Sequence, residues 1–341
     1  MNSIEKCLVD YSLVIPAFNE EKNIGPLVER IKKVMSGLSC TYEIIIVDNG
    51  SHDSTPLELK NLLKTCPELV VITLTRNFGY DGAIVAGLEN IKGQKIIIMD
   101  GDQQDPPEVF PEFISKSKEG FDIVYGIRLK RTEGRFISIL IKIFYRLMKK
   151  MVNFDLPKDA GNFGIMNREV ADVIRRMPER NKFIRGLRAW SGFSSVGLVY
   201  ERDERPQGHS KFSFFAYLNQ ALNGITSFST VPLRLFTYIG VGGIAISLLA
   251  ALYVFVIKIF EFAGVSLHSG QIPRGTTTVA IIVLAGISLN FLGFGIIGEY
   301  VGRVFEEVKN RPSYIIQNIA YGKENDEAST FNSSDTGAIL S

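Results

Sequence analysis

The sequence predicts an α/β domain built on a mainly parallel sheet, followed by a pair of membrane-spanning helices. Three observations carry this. Short apolar runs alternate with helical stretches through the first 125 residues, acidic residues stand at the ends of those runs, and two long uncharged runs occupy the last third. Strands alternating with helices give a parallel sheet, and such sheets bind ligands beyond their carboxyl ends.

The first strand is expected over Tyr11–Ala17, with a helix through Asn23–Met35. Glu43–Val47 is the second, ending at Asp48, and Ser51 and Asp53 offer caps for a helix through Leu59. Leu69–Leu74 and a helix across Ala83–Asn90 follow. Lys95–Met99 is the fourth strand, Pro106-Pro107 opens another helix, and Asp122–Tyr125 is the fifth strand. Runs such as Ile96-Ile97-Ile98 are apolar on both faces, as strands covered on both sides require.

The fourth strand ends in Asp100-Gly101-Asp102. Side chains two apart on a strand point the same way, so the two carboxylates can share a hard divalent cation, Mg²⁺ or Mn²⁺, with a phosphate-bearing substrate. A solvated strand-end turn is the plainer alternative. Glu20 and Asp48 also stand just past strand ends.

Leu235 to Ile257 and Val279 to Ile297 are each about long enough to cross a hydrocarbon core near 30 Å at 1.5 Å per residue. The domain boundaries expected are a catalytic domain at 1–210, a juxtamembrane amphipathic helix at 211–232 and two spans within 233–301 (about 235–257 and 279–301). A tail at 302–341 follows, disordered after about 320. Arg303, Lys309 and Arg311 beyond the second span, and Arg234 and Lys211 before the first, put both termini in the cytoplasm by the positive-inside rule. The expected location is the inner or plasma membrane, with several passes.

The net charge of +2 across 341 residues hides a local excess. From Arg128 to Lys150 there are eight basic residues and one acid, Glu133, which favours anionic lipid or a phosphorylated substrate over nucleic acid. Within it, 134–154 has apolar residues at helical spacing among lysines and arginines, the pattern of an interfacial helix. Cys7, Cys40 and Cys66 have no metal or redox spacing and fit a reducing compartment. Gly240, Gly242 and Gly243 would permit close helix contact, hence a homo-oligomer.

Val14-Ile15-Pro16-Ala17-Phe18-Asn19-Glu20-Glu21 and Val47-Asp48-Asn49-Gly50-Ser51 resemble the opening motifs of family-2 glycosyltransferases with the GT-A fold. Asp100-Gly101-Asp102-Gln103-Gln104-Asp105-Pro106-Pro107 resembles the metal motif of polyprenyl-phosphate sugar transferases. Arg76-Asn77-Phe78-Gly79, Gly126-Ile127-Arg128, and Arg205 with Gly208-His209-Ser210-Lys211 are further segments similar to that family. Gly298-Glu299-Tyr300-Val301-Gly302-Arg303, with Arg311-Pro312 beyond, resembles the end of the bactoprenol glucosyltransferase branch, in the group that includes dolichyl-phosphate mannose synthases. The chain departs from the common Asp-Asp-Gly-Ser in having Asn49.

The resemblance implies that Pro16, Phe18, Glu20, Ile46, Asp48, Arg76 and Gly101 surround a nucleotide-sugar. It implies that Asp100, Asp102 and Gln104 hold Mg²⁺ or Mn²⁺, and that Arg128, Arg205 and Lys211 bind phosphate. Asp100, Asp102 and Arg128 are the expected catalytic set. Asp105 is expected to cap the following helix, and no general base is needed. The implied reaction is inverting transfer of a sugar, glucose from UDP-glucose first, to polyprenyl (undecaprenyl) phosphate at the cytoplasmic membrane face. GDP-mannose or another donor stays open, as does a non-catalytic membrane scaffold. A processive polysaccharide synthase would carry Gln-x-x-Arg-Trp, which is absent around Trp190.

Overall fold

The structure is a computed structural model that describes residues 9–129, 160–179, 182–203 and 276–322, with scattered positions between 231 and 259. Arg205, Lys211, the expected interfacial helix at 134–154, the helix at 211–232, Cys7 and the tail beyond 322 lie outside the described residues. The chain divides into two compact units: Met1–Lys149, Asn153–Ala216 and Arg311–Ser341 in one, Lys150–Val152 and Tyr217–Asn310 in the other.

The first unit carries one eight-stranded sheet in the order β7-β5-β6-β4-β1-β2-β3-β8. Its strands are β1 (Val9–Ala17), β2 (Tyr42–Asp48), β3 (Leu69–Leu74), β4 (Gly93–Ile98), β5 (Ile123–Arg128), β6 (Ala160–Asn167), β7 (Ser195–Tyr200) and β8 (Ile316–Tyr321). β1 runs parallel to β2 and β4, β2 to β3, and β5 to β7. β6 and β8 are antiparallel to their neighbours. The helices are α1 (Ile24–Ser36), α2 (Thr55–Leu62), α3 (Tyr80–Glu89), α4 (Phe110–Lys118), α5 (Arg168–Arg176) and α6 (Ile184–Trp190).

Leu13, Val14 and Ile15 are consecutive and all 0% exposed, so side chains on both faces of β1 are buried. That burial is why the strand is an unbroken apolar run rather than an alternation. On one face α3 lies so close that a Cβ at Gly87 would meet Val14 Cγ1 at 2.4 Å. Beside β5 and β6, Phe163 packs edge-on against Phe113 at 4.9 Å and Tyr200 at 5.0 Å between ring centroids. These contacts fix the end of β7, where Tyr200 and Arg202 enter the site.

The five predicted strands are present, Leu69–Leu74 at its expected bounds and the other four with ends shifted by up to three residues. β6, β7 and β8 carry weaker signals. β8 pairs with β3 although Ile316 stands 242 positions after Leu74, and short-range pattern says nothing of such pairing. Asp105 does not cap a helix: the 3-10 turn at Pro107–Val109 has no side-chain cap, and Asp105 is turned inward and fully buried.

In the second unit, α7 (Thr276–Val308) contains the run read as the second span. The multi-pass membrane location is corrected: among the described residues, no helix is long and apolar enough to cross a membrane. Apolar residues alone suggested the spans, but α7 also carries the polar Asn290 within its run, whose side-chain amide donates to the Gly286 carbonyl at 2.9 Å. Its last turns add Glu299, Glu306 and Glu307. Cβ positions at Gly240, Gly242 and Gly243 face open space.

Candidate active site

The site is assembled at the carboxyl ends of β1, β2 and β4. The loops after β1 and β2 are zipped together. The Asn19 amide donates to Ser51 Oγ (3.0 Å) and the His52 amide to Asn19 Oδ1 (2.9 Å). Glu20 N–H donates to Thr55 Oγ1 (2.9 Å), Glu21 N–H to Asp53 Oδ2 (3.3 Å), and Ser54 N–H to Glu21 Oε2 (3.0 Å). Backbone donors that would be orphaned in an irregular loop are thereby satisfied.

Asp48 is buried at the tip of β2 and accepts the Ser51 amide at 3.0 Å. Pro16 and Ile46 are buried beneath it, Phe18 meets the His52 ring edge-on, and Gly101 lies against the Pro16 carbonyl. Asn49 has a structural task. Its amide donates to Gly79 O (3.0 Å) and Asn77 Oδ1 (3.2 Å), while its oxygen accepts the Phe78 amide (2.9 Å). A carboxylate could accept from Phe78 but could not donate to the other two. Gly50, at φ +70°, lies under the same loop, where a Cβ would meet the Arg76 carbonyl carbon at 2.6 Å. Arg76 itself is exposed, its guanidinium 4.1 Å over the Phe78 ring.

The acidic end is arranged differently. Tyr80 Oη donates to Asp100 Oδ1 at 2.5 Å. Arg128 Nη2 stands 3.9 Å from Asp100 Oδ2. Arg202 Nη2 is 3.6 Å from Asp100 Oδ2 and 3.9 Å from Asp102 Oδ2, and its Nε is 3.6 Å from Asp105 Oδ1. Behind them, Tyr200 Oη donates to Asp105 Oδ1 (2.6 Å) and accepts from Arg128 Nε (3.4 Å). Burial, then the neighbouring Asp100 charge, push the Asp105 carboxyl up to about 6, against the pull of Arg128, Tyr200 and Arg202. Burial opposes the charge on Arg128, but Asp105 and Tyr200 outweigh it and raise its pKa. The Tyr80 phenol is raised by crowding of its oxygen first and by Asp100 second.

Gln104 is turned toward the loop after β7. Its amide donates to Asp203 O at 3.4 Å, and its carbonyl accepts the Asp203 amide at 2.9 Å. The structure thus brings Asp100, Asp102 and Arg128 together, with Gln104 beside them and Glu20, Asp48 and Gly101 across the strand ends. Arg76 sits apart on the loop after β3. Tyr80, Tyr200 and Arg202 were not anticipated. Tyr80 enters because α3 begins three residues before its first apolar position, right after Gly79 at φ +84°. Arg202 had one legible signal, a cation within Glu201-Arg202-Asp203-Glu204.

This site meets a clear set of relatives. The description "Glycosyl transferase family 2" matches residues 12–175. The chain is 38% identical over 318 residues to the "Uncharacterized glycosyltransferase YkcC" of Bacillus subtilis (strain 168), covering 93% of this chain and 96% of the relative. The chain belongs to glycosyl transferase family 2. It is therefore a transferase with the GT-A fold. It is also 39% identical over 309 residues to the "SfII prophage-derived bactoprenol glucosyl transferase" of Shigella flexneri, covering 90% and 97% of the two chains. Among solved structures, mannosyl-3-phosphoglycerate synthase from Rubrobacter xylanophilus matches with a TM-score of 0.43 at 18% identity, covering 63% of this chain and 73% of that one. That likeness is too distant to argue from.

The donor chemistry of the acid pair suits a hard divalent cation. Two hard carboxylates lie where guanidinium cations already stand at 3.6–3.9 Å. The buried Asp105 Oδ2 has no hydrogen-bond partner. Among the described residues no group of three or more His, Cys, Asp or Glu is arranged to hold a metal. An ion here would draw its remaining ligands from a diphosphate and water, as Mg²⁺ commonly does.

Proposed function

We propose that the chain transfers a sugar from a nucleotide-sugar to a polyprenyl phosphate, with inversion, and that glucose from UDP-glucose to undecaprenyl phosphate is the first case to test. The observation that carries this reading is the acid pair at the end of β4 facing two arginines. Relatives named as bactoprenol glucosyl transferases, matched over 90% of this chain, support the acceptor class.

In this reading Pro16, Phe18, Glu20, Ile46 and Asp48 line the base and ribose, with Arg76 and Gly101 at the margin. Asp100 and Asp102, with Gln104 nearby, hold Mg²⁺ or Mn²⁺, which supplies Lewis-acid neutralisation of the diphosphate. Tyr80 orients Asp100 through its hydroxyl. Arg128, with Arg205 and Lys211 from the sequence motif, meets phosphate oxygens, where guanidinium gives bidentate contacts. A phosphate oxygen of the acceptor forms the new bond at the anomeric carbon. The bond to the nucleoside diphosphate breaks, and its electron pair leaves with the diphosphate. The acceptor is already anionic near neutral pH, so no side chain has to take its proton. Positioning and charge neutralisation are the demands on the protein.

The test is transfer from a panel of radiolabelled nucleotide-sugars to undecaprenyl phosphate with Mg²⁺ or Mn²⁺, beside Asp102→Ala. Metal-dependent label in the lipid fraction from one donor, reduced about 100-fold or more in the variant, is expected. Nucleotide binding with no transfer from any donor would point to a different acceptor.

A further inference from the structure

We propose that Arg202 is an internal counter-ion that occupies the acid cluster before substrate binds and is handed over to the phosphate that substrate brings. This rests on the metal-assisted transfer proposed above.

Arg202 is the one described cation within 4 Å of all three carboxylates Asp100, Asp102 and Asp105. Yet none of those distances, 3.6, 3.9 and 3.6 Å, is a hydrogen bond, and its buried Nε has no hydrogen-bond partner. A planar fork of five donors normally engages a carboxylate bidentately at under about 3 Å. Among the described residues the side chain is held by charge alone, a state easily exchanged for a better-matched anion.

Its backbone is held firmly by comparison. Tyr200 just before it is buried and bonded to Asp105. Asp203 just after it exchanges two hydrogen bonds with Gln104, and its carboxylate pairs with Arg30 at 3.0 Å, which also grips Glu108 at 2.7 Å. A fixed base under a loosely partnered long side chain lets the guanidinium move while staying within reach of the cluster. Arg128 differs: it reaches Asp100 alone of the pair and is tied to Tyr200.

A divalent cation on Asp100 and Asp102 and a guanidinium less than 4 Å from both repel each other strongly. Metal alone must therefore displace Arg202 without offering it a new partner. A nucleoside diphosphate supplies that partner, so metal and nucleotide each strengthen the binding of the other, reciprocally. The consequence is a site that discourages the metal from binding without its donor.

The experiment is titration of Mn²⁺ into the full chain, with free Mn²⁺ read by electron paramagnetic resonance, with and without UDP or GDP. Wild type is compared with Arg202→Gln and Arg202→Lys. Wild type is expected to bind Mn²⁺ weakly alone and about tenfold or more tighter with the matching nucleotide. Arg202→Gln is expected to bind Mn²⁺ alone about tenfold tighter than wild type and to gain less from nucleotide. Arg202→Lys keeps the charge and stays near wild type. Unchanged Mn²⁺ affinity and unchanged nucleotide coupling in Arg202→Gln, with wild type binding normally, overturn the counter-ion role alone. Wild type that takes no Mn²⁺ under either condition overturns the metal-assisted reading together with it.

Discussion

The two sides of the site are built on opposite principles. The loops after β1 and β2 are joined by five neutral or singly charged hydrogen bonds of 2.9–3.3 Å, each satisfying a backbone amide. The acid cluster is spanned by guanidinium contacts of 3.6–3.9 Å that satisfy none of the donors in the fork. Short, directional bonds fix a shape that must already exist when a ligand arrives. Long, charged contacts hold groups that must change partners. The contrast separates a rigid wall from an exchangeable floor, and substitutions on each side should fail in different ways.

The sharpest break is expected at Gly50. Valine there would need φ +70° and would drive a Cβ into the Arg76 carbonyl carbon, so Gly50→Val should cost about 3 kcal/mol, read from the urea midpoint. If stability is unchanged, the wall is not rigid. Asp105→Asn tests the floor. The folded carboxyl, raised to about 6 from 3.8, keeps a proton that the unfolded chain releases, so wild-type stability should fall as pH rises through that window. The variant should flatten this slope, a difference on the order of 3 kcal/mol by pH 7 in thermal melts across pH.

Tyr80→Phe removes one donor to Asp100 while leaving both loops intact. It should lower kcat about tenfold, about 1.4 kcal/mol of transition-state stabilisation, with little change in thermal stability, because Tyr80 is partly exposed and water can take the place of the lost hydroxyl. A matching loss of stability instead would make Tyr80 part of the wall. The smallest effect is expected for Asn49→Asp, which trades two donations for a carboxylate facing the Gly79 carbonyl. About 1 kcal/mol should be lost at pH 7 and partly regained in acid, where a protonated carboxyl can donate again.

What the sequence made legible follows the same division. Strands buried on both faces announce themselves as apolar runs, and Asp48, Asp100 and Asp102 were readable because they stand where such runs stop. Arg202 and Tyr200 come from a distant strand whose position depends on pairing with β5, which no local pattern encodes. Tyr80 lies on a helix whose start is set by the glycine before it rather than by its apolar spacing. Asn49 could be seen to differ from the family pattern, but its three partners in the Asn77–Gly79 turn could not be foreseen. The expected membrane spans rested on composition alone, and among the described residues no helix is long and apolar enough to cross a membrane.

β8 has a consequence for how the protein is made and handled. Among the described residues the outer edge of β3 is paired by residues 316–321 alone, and Tyr314 and Ile315 fasten the same segment to Glu89 and Thr75. During synthesis the sheet stays open on that side until residues 316–321 have left the ribosome. A fragment ending near residue 210 would leave a row of unpaired amides and carbonyls along β3, an invitation to pair with other chains. The first unit is thus not severable near residue 210, because its last strand comes from the chain segment after Asn310.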